Sequence, residues 1–317
     1  MKKWFIGATT LIVLGTSLVG LSACSVKGDL TKLGLNQNQT ITHEITEEFT
    51  DITIVGDTED VLLLPSEDEK CTVVCVEEKK LVHSVSVEEG VLSVKVEDTR
   101  RWYDYIDLFD LESSKITVYL PQNEYGALNV KMDTGDVTLS KEFAFESIDV
   151  SVDTGDVSCF ASATESITIK TSTGNIDVGQ ISAGGLNLSV SSGKITVADV
   201  TCEGDAKVVV STGKSYLSNV TCKNLISTGN TGNMSLQNVV ASEKLSIERT
   251  TGNVTFDGCD AEELFVETST GDVSGSLLTT KVFIVNTNTG KIQVPESITG
   301  GKCKIVTSTG DIRITIQ

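Results

Sequence analysis

Along the C-terminal two-thirds of the chain, apolar and polar residues alternate in short runs around a recurring Thr-Gly or Ser-Gly pair. The glycines are Gly135, Gly155, Gly174, Gly193, Gly213, Gly232, Gly252, Gly271, Gly290 and Gly310, always 19 or 20 residues apart. Two places after nine of them stands an apolar residue, such as Val137, Val157, Ile176, Ile195 and Val254; Ser215 is the exception. Four places on come Leu139, Cys159, Val178, Val197, Leu217, Leu236 and Phe256, with Gly275 as the gap, and seven places on Val220, Val239, Cys259 and Leu278 keep the phase. Upstream, pairs such as Leu128/Val130, Ile148/Val150 and Leu245/Ile247 alternate with Thr, Ser, Asn, Lys and Glu. A period of two over short runs predicts half-buried strands and excludes a helical repeat. Glycine marks the turn because it accepts positive φ without steric cost.

One such unit cannot bury its apolar side alone. Stacked units can, and stacking also pairs each strand with the coils on either side. The expected fold is therefore all-β, a single-stranded parallel β-solenoid with coils of 19–20 residues. An antiparallel sandwich would explain the turns but not the constant phase of every apolar position. Ten coils at about 4.8 Å each would extend roughly 48 Å. Residues 127–317 form this regular part. Residues 41–126 are strand-rich but less regular, with runs such as Ile52-Thr53-Ile54 and Ile116-Thr117-Val118-Tyr119-Leu120-Pro121, and are expected to form irregular first coils. The chain stops at Ile316-Gln317, which leaves an expected last edge either bare or paired by a partner or second copy.

The N-terminus changes the setting. Met1-Lys2-Lys3, an apolar run from Trp4 to Leu21, and Ser22-Ala23-Cys24 read as a secretory signal over 1–23. Leu21-Ser22-Ala23-Cys24 resembles the bacterial lipobox, which implies lipidation (palmitate among the acyl chains) of Cys24 as the first mature residue. Residues 24–40 then serve as a polar tether. The expected place is the extracytoplasmic side of a cell membrane, held by the lipid anchor.

Composition narrows the function. The net charge of −19 argues against nucleic acid as a partner. Two histidines, His43 and His83, argue against a His-based catalytic or zinc site, and 5% aromatics argue against an aromatic-lined cavity. Seven cysteines follow Cys24; Cys159, Cys259 and Cys303 hold positions filled elsewhere by Leu, Val or Ile. They read as small core hydrophobes, with a Cys202–Cys222 disulfide between successive coils as the alternative. Gly213-Lys214-Ser215 mimics a phosphate-binding loop, but Val208 stands where that motif needs glycine.

Two clusters are candidate sites. Asp133, Asp136, Asp153 and Asp156 fall on one edge of adjacent coils. Carboxylates so close either bind a cation, Ca²⁺ being suited to such oxygens, or form a solvated edge of Asx-type turns. Ca²⁺ is the one cofactor the sequence suggests. The second cluster, Trp102, Tyr103 and Tyr105, reads as a lid over the solenoid or as a partner contact.

The lipobox, the variable strand-rich front and the Ser/Thr-Gly-Asp/Asn-Ile/Val repeats together resemble a bacterial adhesin-like β-strand-repeat family, a domain of unknown function. The resemblance covers about residues 48–317. It implies a β-solenoid in the cell envelope and carries no catalytic residues; some relatives are linked to Lia-type envelope-stress responses. The expected function is a non-enzymatic binding or scaffolding protein whose partner is an envelope protein or wall polymer. The alternatives are a regulatory module in an envelope-stress response and a carbohydrate-active enzyme using the Asp cluster.

Overall fold

A computed structural model describes residues 39–77, 81–98 and 114–317. Among them every regular element is a strand. The strands stack as parallel coils in a β-solenoid of about ten turns, as the phase of the apolar positions requires.

Each coil carries one strand before its turn glycine and one after. Glu124–Thr134, Ala144–Thr154 and Ser162–Thr173 pair in parallel, with Leu128, Ile148 and Ile167 in one row. Past the turn, Val137–Leu139, Val157–Cys159 and Ile176–Ala183 pair likewise. Inward side chains such as Val150, Val157, Ile169, Val178, Leu236 and Val266 are fully buried in one continuous core. Where that core meets the front, Phe49, Tyr125, Phe143 and Phe145 pack ring on ring, with centroids 5.6–6.5 Å apart. The Tyr125 hydroxyl donates to the Pro121 carbonyl at 2.7 Å, so its buried oxygen is satisfied.

The turn glycines are dictated by the backbone above and below them. Gly232 has φ +138°, and a Cβ there would lie 1.5 Å from the Gly213 carbonyl oxygen. The same glycine-on-glycine contact recurs along the column, so any side chain would force the coils apart. The register between coils shifts at several places, and one shift changes which residue faces inward. A bulge between Phe256 and Cys259 sets Cys259 opposite Leu277, so Leu277 is buried and Leu278, the expected inward residue, faces solvent.

Both ends depart from simple chain order. At the front, Asp51–Gly56 lies between Val91–Asp98 and Glu124–Thr134, and Asp60–Pro65 lies between Lys115–Leu120 and Val137–Leu139. The earliest coil is thus sandwiched between two later ones. Antiparallel strands then flank the outer coil of Val91–Asp98 and Lys115–Leu120: Cys71–Glu77 on Lys115–Leu120, Gln39–Ile45 on Cys71–Glu77, and Leu81–Glu88 on Val91–Asp98. At the back, Gly301–Thr309 pairs with both Val254–Thr270 and Lys281–Thr289, and Ile312–Ile316 with both Val273–Leu277 and Ile292–Gln293. The last segment of the chain is therefore internal. The edge expected at Ile316-Gln317 belongs instead to Lys281–Thr289, because the final coil slides beneath the one before it.

Candidate functional site

The turn edge is the most regular feature of the surface. The residue after most turn glycines is Asp or Asn, and its side chain accepts the backbone N–H of the equivalent residue in the next coil. Asp60 accepts from Asp136 at 3.0 Å, Asp136 from Asp156 at 2.8 Å, Asp156 from Asn175 at 2.7 Å and Asn175 from Lys194 at 3.1 Å. A second run goes from Asn233 to Asn253, Asp272, Asp311 and Lys291 at 2.7–2.9 Å. A lysine, which cannot accept, closes each run. Where Lys194 and Lys214 adjoin, the turn stays in the ladder and Gly193 pairs with Gly213, Lys194 with Lys214. The short Asx side chain thus stands in for the backbone acceptor at a corner.

This arrangement places the four predicted carboxylates. Asp136 and Asp156 sit on successive rungs with one oxygen each committed to backbone N–H groups, and Asn175 Nδ2 reaches both Asp156 oxygens at 3.1 Å. Asp133 and Asp153 stand exposed beside them. Among the described residues no group of three or more His, Cys, Asp or Glu is arranged to hold a metal ion. At the far end of the edge, the Lys291 N–H and then the Arg313 guanidinium hold the Asp311 carboxyl below its ordinary value. Immediately before the turn glycine runs a second exposed row, threonine in every coil except for Ser192, with Thr154 between Thr134 and Thr173, and Thr270 beside Thr309. Cys24, Trp102, Tyr103 and Tyr105 lie outside the described residues.

Inside the core the cysteines are hydrophobic filler. Cys71, Cys159, Cys202, Cys222, Cys259 and Cys303 are buried free thiols, and Cys75 is buried with them. The proposed Cys202–Cys222 bridge is therefore not formed. Burial pushes the Cys71, Cys159, Cys222 and Cys303 thiols up to about 12, far from reactive thiolates.

Among the described residues, the buried cations Arg249 and Lys281 break the apolar pattern. Arg249 lies inside the core, with Nη2 donating to Ser227 Oγ at 2.8 Å and to Ser215 Oγ at 3.2 Å, and 3.4 Å from Met234 Sδ. Gly229 makes room, since a Cβ there would fall 1.8 Å from the guanidinium. Desolvation lowers the Arg249 pKa to about 10. Lys281 is the other. Its ammonium meets Asp260 at 2.5 Å, the Ala261 carbonyl at 2.6 Å and Thr279 Oγ1 at 2.8 Å. It spans the inserted last coil where Gly301 has no side chain, its Nζ 3.4 Å from where a Cβ would stand. On the outer face nearby, Lys244, Glu263, Phe265, Lys302 and Lys304 line a shallow groove, with the Lys304 ammonium 5.3 Å from the Phe265 ring centre.

The sequence model of the family described as Toastrack DUF4097 matches residues 49–213 and again 204–317. No significant match occurs among curated proteins. Several solved structures show a partial likeness over most of the chain. A lipid-binding candidate from Parabacteroides distasonis is 19% identical, with 87% of this chain and 96% of that one covered and a TM-score of 0.49. A candidate adhesin from Bacteroides fragilis is 13% identical over 88% of this chain and 99% of that one, with a TM-score of 0.45. Another, from Parabacteroides merdae, is 11% identical over 88% and 96%, with the same TM-score.

Proposed function

The chain belongs to the Toastrack family (DUF4097), and from that premise we propose that it works without catalysis, as a lipid-anchored display surface on the extracytoplasmic side of a cell membrane. Its partner on this reading is a repeating wall polymer or another envelope protein. The observation that carries the proposal is the pair of rows at the turn edge, an exposed threonine (serine at Ser192) and an Asx or Lys in each coil. Their spacing is that of stacked strands, about 4.8 Å. The threonine row offers the same hydroxyl contact many times over, so contacts too weak to hold singly add through avidity. The lipobox-like Leu21-Ser22-Ala23-Cys24 supports the anchor.

The test is co-sedimentation of the full chain, in detergent, with insoluble wall polymer purified from a bacterial envelope. Replacing Thr134, Thr154, Thr173 and Thr212 by Val keeps strand propensity and removes the hydroxyls. Binding should fall at least about tenfold, a change equal to 1.4 kcal/mol. Unchanged binding would refute the role of this face. Replacing Asp133, Asp136, Asp153 and Asp156 by Asn should leave binding intact; turnover of wall glycan that vanishes in this variant would establish the carbohydrate-active alternative. Cys24→Ser should move the protein from the membrane fraction to the soluble one.

A further inference from the structure

The strand Lys281–Thr289 ends the stack. One of its edges pairs with Gly301–Thr309, Phe283 against Cys303 and Val285 against Ile305. Among the described residues no strand pairs with the other edge. The core is open there: Ile305 and Ile312 have no exposed surface, whereas Phe283 and Val285 are only half-buried and Ile292 is 47% exposed. Outward on the same strand, Ile284 is 50% exposed. Natural sheets protect such an edge with a charge, a proline or a bulge, because its free N–H and C=O groups recruit another strand. This edge has none of the three. From Val282 to Gly290 there is no charged residue and no proline, and the register is unbroken.

We propose that this end of the stack pairs with the same end of a second copy, the strand Lys281–Thr289 running antiparallel to itself about Val285. Charge selects the occupant. With a net charge of −19, contact between two copies is repulsive over most of the surface. The coil from Lys281 to Gly300 holds only Lys281, Lys291 and Glu296 as charged residues, and Lys281 is already matched by Asp260. Two such ends meet without setting acid against acid.

Register follows from the pleat. Inward residues must stay inward, so odd-numbered positions pair with odd-numbered ones. Centring on Val285 uses the whole strand: Lys281 faces a threonine, Phe283 faces a threonine, and Val285 faces its own copy across the two-fold axis. No like charges are opposed, and the two Phe283 and two Val285 side chains close both open cores as one cluster.

The experiment is sedimentation equilibrium of the full chain in density-matched detergent, at protomer concentrations up to about 100 μM. The wild type should be a dimer that dissociates on dilution. Val285→Lys and Val285→Asp each set like charges across the axis and should be monomers. An equimolar mixture of the two should restore the dimer, which unfolded variants could not do. A wild type that stays monomeric, a variant that stays dimeric, or a mixture that stays monomeric overturns the proposal, and so does an edge that binds only a foreign strand. Loss of the dimer leaves the threonine rows untouched, so this proposal and the polymer-binding one fail separately.

Discussion

The two ends of the solenoid solve one problem in different ways. At the front, the coil of Asp51–Gly56 and Asp60–Pro65 is covered by a later coil, and strands of reversed direction flank that one. At the back, the last coil slips under its predecessor and leaves a parallel strand with one edge unpaired among the described residues. Reversal at the front changes both the direction of the ladder and the side chains that follow it. Insertion at the back passes the open edge to a strand with no charge or proline from Val282 to Thr289. The difference teaches that a repeat protein need not cap both ends alike: one end can be finished and the other presented.

The largest effect should come from the column that joins the two ends. Gly232→Val puts a Cβ 1.5 Å from the Gly213 oxygen at a φ of +138° and should cost about 3 kcal/mol or more. Gly90→Ala, in a front hairpin where nothing lies within 4 Å of the added Cβ at φ +80°, should cost only about 1 kcal/mol. Thermal denaturation followed by circular dichroism compares them, and equal losses would show that stacking does not set the glycine requirement.

Next in size, Lys281→Met strands Asp260 and unties the back coil, at a local cost of about 3 kcal/mol. Hydrogen exchange should quicken in 281–316 and stay unchanged in 39–65; uniform quickening would mean that the ends are not independent. Asp156→Ala removes the acceptor for the Asn175 N–H and should cost about 1 kcal/mol, whereas Asp156→Asn, which keeps an oxygen there as Asn175 itself does, should be nearly neutral. Chemical denaturation of both variants separates the acceptor from the charge.

The smallest effect is a pH dependence confined to the back edge. The Asp311 carboxyl is depressed in the folded state, so its contribution is present above its unfolded value near 3.9 and is lost as pH falls through the lower folded value. Exchange in 291–316 should quicken below about pH 4, and Asp311→Asn should abolish that step.

Turn positions, strand phase and the buried cysteines were all readable from the periodicity, because each depends on contacts between like positions of neighbouring coils. The order of the coils at the ends was not. The coil of Gly310 fits beside that of Gly271 as well as beside that of Gly290, and near-identical units do not encode which neighbour they choose. The bulge that buries Leu277 rather than Leu278 was hidden for a related reason, since two adjacent leucines satisfy either register. The buried arginine did leave a trace. Ser215 interrupts the apolar row after the turn, Ser227 interrupts the row before it, and Gly229 is a small residue on the inward side. Read as a set, the three breaks outline the cavity that Arg249 fills. The sequence shows the carboxylates of the Asx edge but not the backbone amides they accept from, because that pairing runs between coils.

The tucked-in last coil also sets the schedule on which the molecule can be completed. As the polypeptide emerges, residues 281–294 are available before 301–316, yet among the described strands Lys281–Thr289 has only Gly301–Thr309 to pair with. Layers are therefore not added in chain order here: residues 301–316 join the column on 254–277, and 281–293 join on them. Shortening the chain by its last seventeen residues would not remove the top layer; it would pull out the one beneath it.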